Sequence, residues 1–599
     1  MKLSFSLEGM ARGKILWVIV FIMLLVLGRN AFEQASQLMA ANLPNPDSYY
    51  KLVMIRDHDP ALGFNFIARD NAPYGVWMHW SLPHTWVVWA LHKGLMALGL
   101  EQTLALLWAG GSVTLLSMLL LALFVGLAVA NVGSPLAALV STLAVASSPP
   151  LFGYGQLVQI THHIFMLVPV AAAAACFLRP NMQAGCLLDF VGGALLGLAL
   201  WISPETMPLV LVFAAMRAAI RLQQPSSGAV WPVAVGLMLA MLAGWMIDPP
   251  PPTFSAWALD HISLAWLLFT AVLAGLLLLT DFCVARKASL PISIFQLTFA
   301  LAVLAVAWLM IVPGALAGPN GLIPSELRAL WYDRIQELQA VSEPSQWVAY
   351  LLLPLTSTSV LGYIAWRERS LWMLVLALSA LIYGVLGASY IRMGAAAALV
   401  SVLAFGIGIG KFRAFKDIQN KTLPMPEQIM GAVLVLIIPL QVFGAMGLAY
   451  FENKADIKIN ATNDMKSCSL DRVLPLLNGL PAGTLLAESN IGPEILFKTQ
   501  HRVIAGNYHH NIKGLIDSFD VLRSVSPDMK AQAIASARGI DFILACTEID
   551  SNLVRGKKEH TLVQRMAAGA AINWLPEHQA LADWRVYRRS AASNIKSYN

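Results

Sequence analysis

One early segment of the sequence combines carboxylates with aromatic side chains, and these residue types could carry chemistry. Residues 42–83 read NLPNPDSYYKLVMIRDHDPALGFNFIARDNAPYGVWMHWSLP. Asp47 has the chemistry of a general base or of a ligand for a divalent cation. It could equally cap a helix that starts at SYYKLVMIRD, and the two roles are compatible. Tyr49, Tyr50 and Trp77 are candidate substrate contacts in the same segment.

A pair of adjacent histidines forms the second candidate, within PPLFGYGQLVQITHHIFM (149–166). His162 and His163 lie where the chain enters an apolar run, and buried imidazoles without partners are costly there. They must therefore face a cavity or find polar partners. Because neutral imidazole is a common metal ligand, the pair favours a functional role over a purely structural one.

Three charged residues occur later in the chain at positions that need an explanation. Glu205 lies between two prolines in WISPETMP (201–208), where the positive end of a helix dipole would also favour a carboxylate. We interpret it as a substrate contact. Glu343 ends the amphipathic stretch LWYDRIQELQAVSE (330–343). Arg392 stands at the start of an apolar run, where an unpaired cation is expensive and a partner is expected.

The composition shows which elements must position these residues. The chain has 599 residues, of which 57% are hydrophobic and only 12% charged, and its mean hydropathy is +0.64. A soluble core of this length does not need so much apolar surface, whereas a bilayer does. The sequence therefore predicts a polytopic α-helical membrane protein. The net charge of +6 lies largely in short loops, so no nucleic acid is needed to explain it.

Apolar runs of roughly 20 residues can be placed about thirteen times along the chain. The first follows Lys14 and is interpreted as a retained anchor rather than a cleaved signal peptide, because more spans follow. The predicted spans are 15–35, 104–130, 135–150, 163–178, 187–203, 206–220, 229–247, 258–280, 290–312, 346–366, 371–388, 393–410 and 428–448.

The distribution of basic residues predicts an orientation for these spans. With a cytoplasmic N-terminus, loops such as those of Arg221 and Lys287 fall inside, as the positive-inside rule requires. The long loops 36–103 and 313–345 then lie outside, in the periplasm or extracellular space of a bacterial inner membrane. Residues 82–100 are predicted to lie flat at the membrane interface; a span there would invert every later loop.

The chain changes character after residue 450 and predicts an outer α/β domain over 451–599. Apolar runs shorten to strand length in TLLAES (484–489) and DFILAC (541–546), with a helix-like segment at 529–539. The histidines of GNYHHN (506–511) are predicted to be solvated loop residues rather than ligand contacts. Cys468 and Cys546 could form a disulfide in an oxidising compartment, but the sequence leaves this pairing open.

The ordered set of these features resembles the GT-C glycosyltransferases, and within them the catalytic subunit of oligosaccharyltransferase. The resemblance covers most of residues 1–450 and rests on Asp47 before Tyr49-Tyr50, on PYGVWMHWSLP, on AVSE (340–343) and on Arg392. It implies Asp47, Glu343 and Arg392 as catalytic residues. It also implies a divalent metal, Mn²⁺ or Mg²⁺, on Asp47, Glu343 and the two histidines His162 and His163.

The implied activity is the transfer of a sugar or glycan from a polyprenyl-phosphate or polyprenyl-diphosphate carrier to a glycan, lipid or protein acceptor at the outer membrane face. Thr161 stands where this family has an acidic residue, so either the histidines replace that ligand or metal binding is weak or absent. No WWDYG-like motif occurs in the tail, so glycosylation of protein asparagines is not supported. The alternative function is a non-catalytic binder of lipid-linked glycans or a transporter.

Overall fold

The computed structural model describes residues 12–179, 185–318, 321, 323–412, 436–438, 440–450, 452, 468–549, 551–557 and 559–589. The chain divides into two compact units, which are interleaved along the sequence. Unit 1 comprises Met1–Ala41, Trp80–Gly321 and Gln336–Ala455. Unit 2 comprises Asn42–His79, Leu322–Ile335 and Asp456–Asn599. Parts of both long loops thus group with the C-terminal residues, whereas the domain boundary at residue 450 stays a prediction.

Helices make up most of the chain as far as residue 411. In chain order they are α1 (Arg12–Met39), α2 (Pro46–Arg56), α3 (Pro83–Ala97), α4 (Gln102–Val132), α5 (Pro135–Ser147), α6 (Pro149–Tyr154), α7 (Leu167–Phe177), α8 (Cys186–Ile202), α9 (Met207–Gln223), α10 (Trp231–Ile247), α11 (Leu264–Ala285), α12 (Leu290–Ile311), α13 (Ser325–Leu330), α14 (Pro344–Glu368), α15 (Leu371–Ser389) and α16 (Gly394–Lys411). A further apolar helix, α17, covers Leu436–Tyr450.

Within the described residues, seven helices are long and apolar enough to cross a membrane, and several shorter apolar helices accompany them. Every predicted span overlaps a helix, so the helical membrane class is confirmed. The count of about thirteen spans and their orientation stay predictions. Helix α12 has none of its most apolar window buried, although Trp308 at its C-terminal end donates to the carbonyl of Ala265 in α11 at 3.0 Å.

Small residues allow the helices of unit 1 to approach closely. A Cβ atom on Gly193 of α8 would lie 2.1 Å from the carbonyl oxygen of Val233. A Cβ atom on Gly236 of α10 would lie 2.1 Å from the carbonyl oxygen of Phe190. Neither backbone could stay in place beside a side chain. Helix pairs in membranes gain stability from this close van der Waals packing, because burial from lipid supplies no hydrophobic driving force.

Helix α16 is the most buried of the long apolar helices and fixes the position of Arg392, which precedes it. Its most apolar window is 89% buried. The sequence GAAAALVSVLAFGIGIG explains this, since small residues accept neighbours on every side. At Gly410, a Cβ atom would lie 2.6 Å from the Cα atom of Gly133. Such a helix offers a rigid support for side chains at its ends.

Unit 2 contains the β-structure. Two short strands, β1 (Phe66–Ile67) and β2 (Val76–Trp77), form an antiparallel pair. The remaining elements are α18 (Leu474–Gly479), β3 (Thr484–Leu486), α19 (Gly492–Lys498), β4 (Arg502–Val503), α20 (Ile512–Leu522), α21 (Met529–Arg538), β5 (Phe542–Cys546), α22 (Ser551–Val554), α23 (Leu562–Ala567), β6 (Glu577–Leu581) and β7 (Trp584–Arg588).

A five-stranded sheet in the order β4-β3-β5-β7-β6 forms the centre of unit 2. Strands β4, β3 and β5 are parallel, while β7 pairs antiparallel with both β5 and β6. The predicted strands at 484–489 and 541–546 and the predicted helix at 529–539 are confirmed by β3, β5 and α21. An α/β arrangement in the C-terminal part is therefore present.

The loop segment 42–79 is built into unit 2 by backbone and arginine contacts. The amide of Val503 donates to the carbonyl of Arg69 at 2.8 Å, and the amide of Ala72 donates back to the carbonyl of Val503 at 3.0 Å. The guanidinium of Arg69 also donates to the carbonyls of Thr499 and His501, each at 3.0 Å. Residues some 430 positions apart thus form one structural element.

A disulfide joins Cys468 to Cys546 within unit 2, with Cα atoms 6.0 Å apart. The sequence leaves this pairing open because Cys546 ends a buried strand. In the structure Cys546, at the end of β5, is bonded to Cys468, so a buried strand end is compatible with a disulfide here. The other three cysteines, Cys176, Cys186 and Cys283, are free.

Candidate active site

Arg392 lies in a tight turn, Ile391–Met393, between α15 and α16. Two backbone hydrogen bonds attach the segment before α14 to this turn. The amide of Ile391 donates to the carbonyl of Gln339 at 3.0 Å, and the amide of Val341 donates to the carbonyl of Ala388 at 2.8 Å. The segment before α14 therefore places its carboxylates beside the start of α16.

Two carboxylates accompany the guanidinium of Arg392. Glu205 Oε1 lies 2.6 Å from it, and Glu337 Oε2 lies 4.0 Å from it. The three side chains are between 22% and 32% exposed, so water still reaches them. The partner expected for Arg392 is thus Glu205, which stands in the turn Pro204–Thr206. Glu337 was missed from sequence because its amphipathic surroundings resemble those of any solvated helix face.

The two predicted histidines form a stacked pair in the irregular segment between α6 and α7. Their ring centroids are 4.9 Å apart at an angle of 20°. His162 is 5% exposed and His163 is 2% exposed. A hydrogen bond of 3.0 Å joins His163 Nδ1 to the hydroxyl of Thr161, and the ring of Tyr154 lies 4.5 Å from that of His163. The buried imidazoles have therefore found polar and aromatic partners.

Tyr154 connects the histidines to the charged cluster. Burial raises the pKa of its hydroxyl above the ordinary value; Glu337 raises this pKa further, and Arg392 lowers it. Charges of both signs thus affect the pKa of the Tyr154 hydroxyl, and the ring of the same residue contacts His163. Sequence reasoning missed Tyr154, although it stands within the quoted stretch PPLFGYGQ, because one tyrosine in an apolar turn carries no distinctive signal.

Glu343 is the N-cap of α14 and forms a capping box with Gln346. The amides of Ser342 and Glu343 donate to Gln346 Oε1 at 2.9 and 3.3 Å. Such reciprocal bonds satisfy amides that a helix start leaves open. Within the described part of unit 1, the ligand atoms of Glu343 do not gather with those of His162 and His163 within 4.8 Å. A metal role for Glu343 would require its side chain to leave the cap.

Asp47 belongs to unit 2 and lies in the first turn of α2. The cap itself is Asn45, whose side chain accepts from the amide of Ser48 at 2.8 Å, so the expectation that Asp47 is the cap is wrong. Asp47 is half-buried, and its negative charge is favoured by the helix N-terminus. Its carboxylate is not the helix cap, which is formed by Asn45.

The two tyrosines beside Asp47 are interior residues of unit 2. Tyr49 is 4% exposed, and its ring packs 6.0 Å from that of Phe497. Tyr50 is fully buried and donates to Asp70 Oδ2 at 2.6 Å. Such small exposure leaves little surface for a substrate, so the structure does not support the two predicted substrate contacts and uses both tyrosines in packing. Their large rings hold α2 in place instead.

Trp77 in β2 is half-buried and packs against Phe66 of the neighbouring strand, with ring centroids 5.0 Å apart. Its carbonyl accepts a hydrogen bond from the hydroxyl of Tyr508 at 3.2 Å. The part of the indole that remains exposed leaves its predicted substrate contact a prediction. The predicted site residues are divided between the units: Asp47 and Trp77 belong to unit 2, while Glu205, Glu343, Arg392 and the histidine pair belong to unit 1.

Other carboxylates of the segment 42–83 have structural roles. Asp57 accepts from Arg56 at 2.8 Å and from Arg69 at 2.6 Å. Asp70 is fully buried, and this burial raises its pKa to about 6 despite hydrogen bonds from Tyr50 and Asn511 that lower it. These residues explain most of the charge in the segment. A dense cluster of charges in the sequence therefore marks an intramolecular junction here.

No family model matches this sequence, and no curated protein matches it. Solved structures do. The oligosaccharyltransferase AglB from Archaeoglobus fulgidus, in complex with an inhibitory peptide and a dolichol-phosphate, is 12% identical with a TM-score of 0.61, and the match covers 89% of this chain and 69% of that chain. This chain has the fold of an archaeal oligosaccharyltransferase.

Two further structures of the Archaeoglobus fulgidus oligosaccharyltransferase agree with this match. The form tethered to an acceptor peptide with an NVT sequon is 14% identical, with a TM-score of 0.61, and the match covers 89% of this chain and 69% of that chain. The complex with Zn and sulfate is 14% identical, with a TM-score of 0.57, and the match covers 89% and 68%. The resemblance to the GT-C oligosaccharyltransferases is thus confirmed at the level of the fold.

Proposed function

We propose that this chain is a membrane glycosyltransferase of the GT-C type. It transfers a sugar or glycan from a polyprenyl-phosphate or polyprenyl-diphosphate carrier to an acceptor at the outer face of the membrane. The observation that carries the proposal is the Arg392 cluster at the start of α16, in a chain with the oligosaccharyltransferase fold. One of the similar structures holds a dolichol-phosphate, which is a lipid carrier of this chemical class.

The geometry around Arg392 suits a phosphate leaving group. Glu205 holds the guanidinium at 2.6 Å, Glu337 is more distant at 4.0 Å, and the Arg392 side chain is still 22% exposed, so an anion can approach it. A planar guanidinium binds phosphate oxygens in pairs. As the bond between the sugar C1 and the carrier oxygen breaks, its electron pair moves to that oxygen. Arg392 stabilises the negative charge that forms there.

The acceptor side of the reaction needs a base, and Asp47 is the proposed one. The acceptor's oxygen or nitrogen forms the new bond to C1, and its proton goes to the Asp47 carboxylate. Asp47 is only half-buried and is not the cap of α2, which supports this role. The acceptor is a glycan, a lipid or a protein; the sequence lacks the WWDYG-like motif that would favour a sequon.

Residues in unit 1 and unit 2 have the chemistry to hold the divalent metal that the resemblance implies. His162 and His163 offer imidazole, and Asp47 and Glu343 offer carboxylates. Mixed imidazole and carboxylate donors fit Mn²⁺ or Zn²⁺ better than Mg²⁺, which prefers oxygen ligands. The bond of Thr161 to His163 Nδ1 leaves Nε2 as the ligand atom. When bound, the metal would neutralise part of the charge on the carrier phosphate.

We further propose that unit 2 faces the periplasm or the extracellular space of a bacterial cell. The disulfide between Cys468 and Cys546 supports this side, because disulfides persist in oxidising compartments. Labelling of engineered cysteines with an impermeant reagent tests the orientation. Glu343→Cys should react in intact cells, and Lys287→Cys should not; the opposite result would reverse the assignment of faces.

The test of the function is the release of polyprenyl phosphate by the purified protein. Polyprenyl-linked sugars are supplied with Mn²⁺, Mg²⁺ or Zn²⁺, and the lipid product is measured. Arg392→Ala should lower turnover by roughly 100-fold or more, the scale of losing one donor to a developing anion. Arg286→Ala is the matched control, since that guanidinium lies over the ring of Phe282 at 5.0 Å. Wild-type protein that is folded yet releases nothing from any donor would favour a binding protein or transporter.

Asp47→Asn tests whether Asp47 acts as a base or only contributes to the total charge of its segment. This change keeps the shape and removes the charge, so turnover should fall by roughly 100-fold or more. Asp59→Asn is the matched control, because Asp59 accepts from the amide of Ala61 at 2.8 Å in an exposed turn. Equal losses from both changes would mean that the segment needs only its overall charge.

A further inference from the structure

Three histidines of unit 2 come together although they are far apart in sequence. His79 follows β2, and His509 and His510 lie in the loop between β4 and α20. The ring centroids of His79 and His509 are 4.7 Å apart, and those of His509 and His510 are 4.5 Å apart. All three side chains are half-buried, so the loop histidines are less solvated than predicted. The proposed transfer reaction uses none of them.

Tyr508 fixes the ring of His79. Its hydroxyl donates to the carbonyl of Trp77 at 3.2 Å, and a carbonyl can only accept. The hydroxyl proton is thereby used, so the contact of 3.0 Å with His79 Nδ1 has the imidazole as donor. His79 is therefore protonated on Nδ1, so Nε2 is the nitrogen that can bind a metal. Metal-binding histidines are commonly oriented by such a bond on their other nitrogen.

The loop that carries His509 is held rigidly. The amide of Asn511 donates to the carbonyl of Tyr508 at 3.0 Å, and the side chain of Asn511 caps α20 by accepting from Gly514 at 3.0 Å. Gly506 contacts the hydroxyl of Tyr50 so closely that a Cβ atom would lie 1.7 Å from that oxygen. The loop can take this course only with glycine there. Preorganised ligands bind at a lower entropic cost.

We propose that His79 and His509 form a binding site for a transition-metal cation of the Zn²⁺ class. One ring nitrogen of His79 lies within 4.8 Å of one of His509. Two nitrogens on a tetrahedral zinc are roughly 3.4 Å apart, given Zn–N bonds of about 2.0 to 2.1 Å. Small ring rotations bring the pair to that spacing. The ring of His510 lies 6.0 Å from that of His79, which makes His510 a candidate third ligand.

The donor type selects the metal class. Imidazole favours Zn²⁺, Co²⁺ and Ni²⁺, whereas Mg²⁺ prefers oxygen. With two or three protein ligands, the remaining positions are filled by water or by an oxygen of a bound molecule, which is the pattern of an open site. The site shares no residue with the pair His162 and His163. Its metal binding does not depend on the proposed transfer reaction.

The test is a Co²⁺ titration of the full-length protein in detergent, read by the visible absorption of bound cobalt and followed by competition with Zn²⁺. Combined His79→Ala and His509→Ala changes should weaken binding at this site by roughly 100-fold or more. Tyr508→Phe keeps the ring and removes the orienting hydroxyl, so it should weaken binding by roughly 10-fold. His560→Ala, at an exposed position, is the control and should leave the titration unchanged.

A second set of variants separates the two histidine sites. Combined His162→Ala and His163→Ala changes should leave the cobalt bound by His79 and His509 in place. In wild-type protein, affinity should fall below about pH 6.5, because protonated imidazole cannot bind metal. The proposal is overturned if wild-type protein binds no cobalt. It is also overturned if the His79 and His509 changes leave affinity unaltered, or if the cobalt signal disappears only with the His162 and His163 changes.

Discussion

The charged residues of the two units differ in the atoms that they bind. In unit 1, Arg392 has side-chain carboxylates as partners and keeps part of its surface exposed. In unit 2, Arg69 is directed at Asp57 and at the backbone carbonyls of Thr499 and His501. An arginine engaged with fixed carbonyls has no donor left for a ligand. The partner atoms, and not the density of charge, therefore distinguish the partly exposed Arg392 cluster from the internal contacts of Arg69.

The largest expected difference between the units comes from the disulfide. The Cys468–Cys546 bond closes a loop with a sequence separation of 78, which stabilises unit 2 by up to about 4.5 kcal/mol in the chain-entropy model. Replacing both cysteines by serine should lower amide-exchange protection in β5 and β7, while α16 in unit 1 stays protected. Cys186→Ser, which removes an exposed free thiol, is the control. Unchanged protection in β5 would contradict the prediction.

Arg69→Ala and Arg392→Ala test the comparison directly. Removing Arg69 leaves Asp57 and several backbone carbonyls without their donor, so unit 2 should lose about 3 kcal/mol. Removing Arg392 breaks partly exposed ion pairs, so unit 1 should lose less than about 1 kcal/mol. Amide exchange near β4 and α16 measures the two effects. If both changes destabilised their units equally, the distinction drawn from the partner atoms would fail.

A pH dependence of unit 2 should follow from Asp70, whose folded-state pKa is raised from 3.8 to about 6 by burial. Between these values the folded state binds more protons than the unfolded state, so stability falls as pH rises. The penalty is complete at pH 7 and amounts to at most about 3 kcal/mol. Asp70→Asn should remove this dependence, measured as exchange protection of α20 at pH 4 and pH 7. Asp59→Asn should retain it; parallel profiles for wild type and Asp70→Asn would contradict the assignment.

The smallest expected effect lies within the Arg392 cluster. Glu337 is 4.0 Å from the guanidinium and partly exposed, so Glu337→Gln should change turnover by no more than about fivefold. Glu205→Gln should have the larger effect, because Glu205 is in contact at 2.6 Å. Turnover on a polyprenyl-linked donor measures both. A larger loss from Glu337→Gln would mean that Glu337, rather than Glu205, positions Arg392.

The sequence predicted the helical architecture well because long apolar runs have few alternatives to helices in a membrane. It also located β3, β5 and α21, whose patterns are local. Strand β6 was missed because all of its residues are exposed, so EHQAL shows no alternation of apolar and polar side chains. Arg392 and Glu205 were both selected as candidates. Their pairing joins two turns that are far apart in the sequence, so no local pattern predicts it.

The errors at the site have a common physical origin. Tyr49 and Tyr50 were assigned to substrate because tyrosines beside a carboxylate suit a binding surface. Their burial depends on packing against the chain near Phe497 and Asp70, which no local pattern reveals. The histidines of the 506–511 loop were assigned to solvent for the same reason, since His79 reaches them from another part of the chain.

The division of unit 2 among distant stretches of chain also sets the order of events during synthesis. Arg69 leaves the ribosome about 430 residues before its partner Thr499. At roughly 5 to 20 residues per second, this interval is on the order of 20 to 90 s. During that time the segment 42–79 has no β4 and no α19 to pack against. The aromatic and charged side chains of this segment must therefore stay soluble, or be held by a chaperone, until the last quarter of the chain is made.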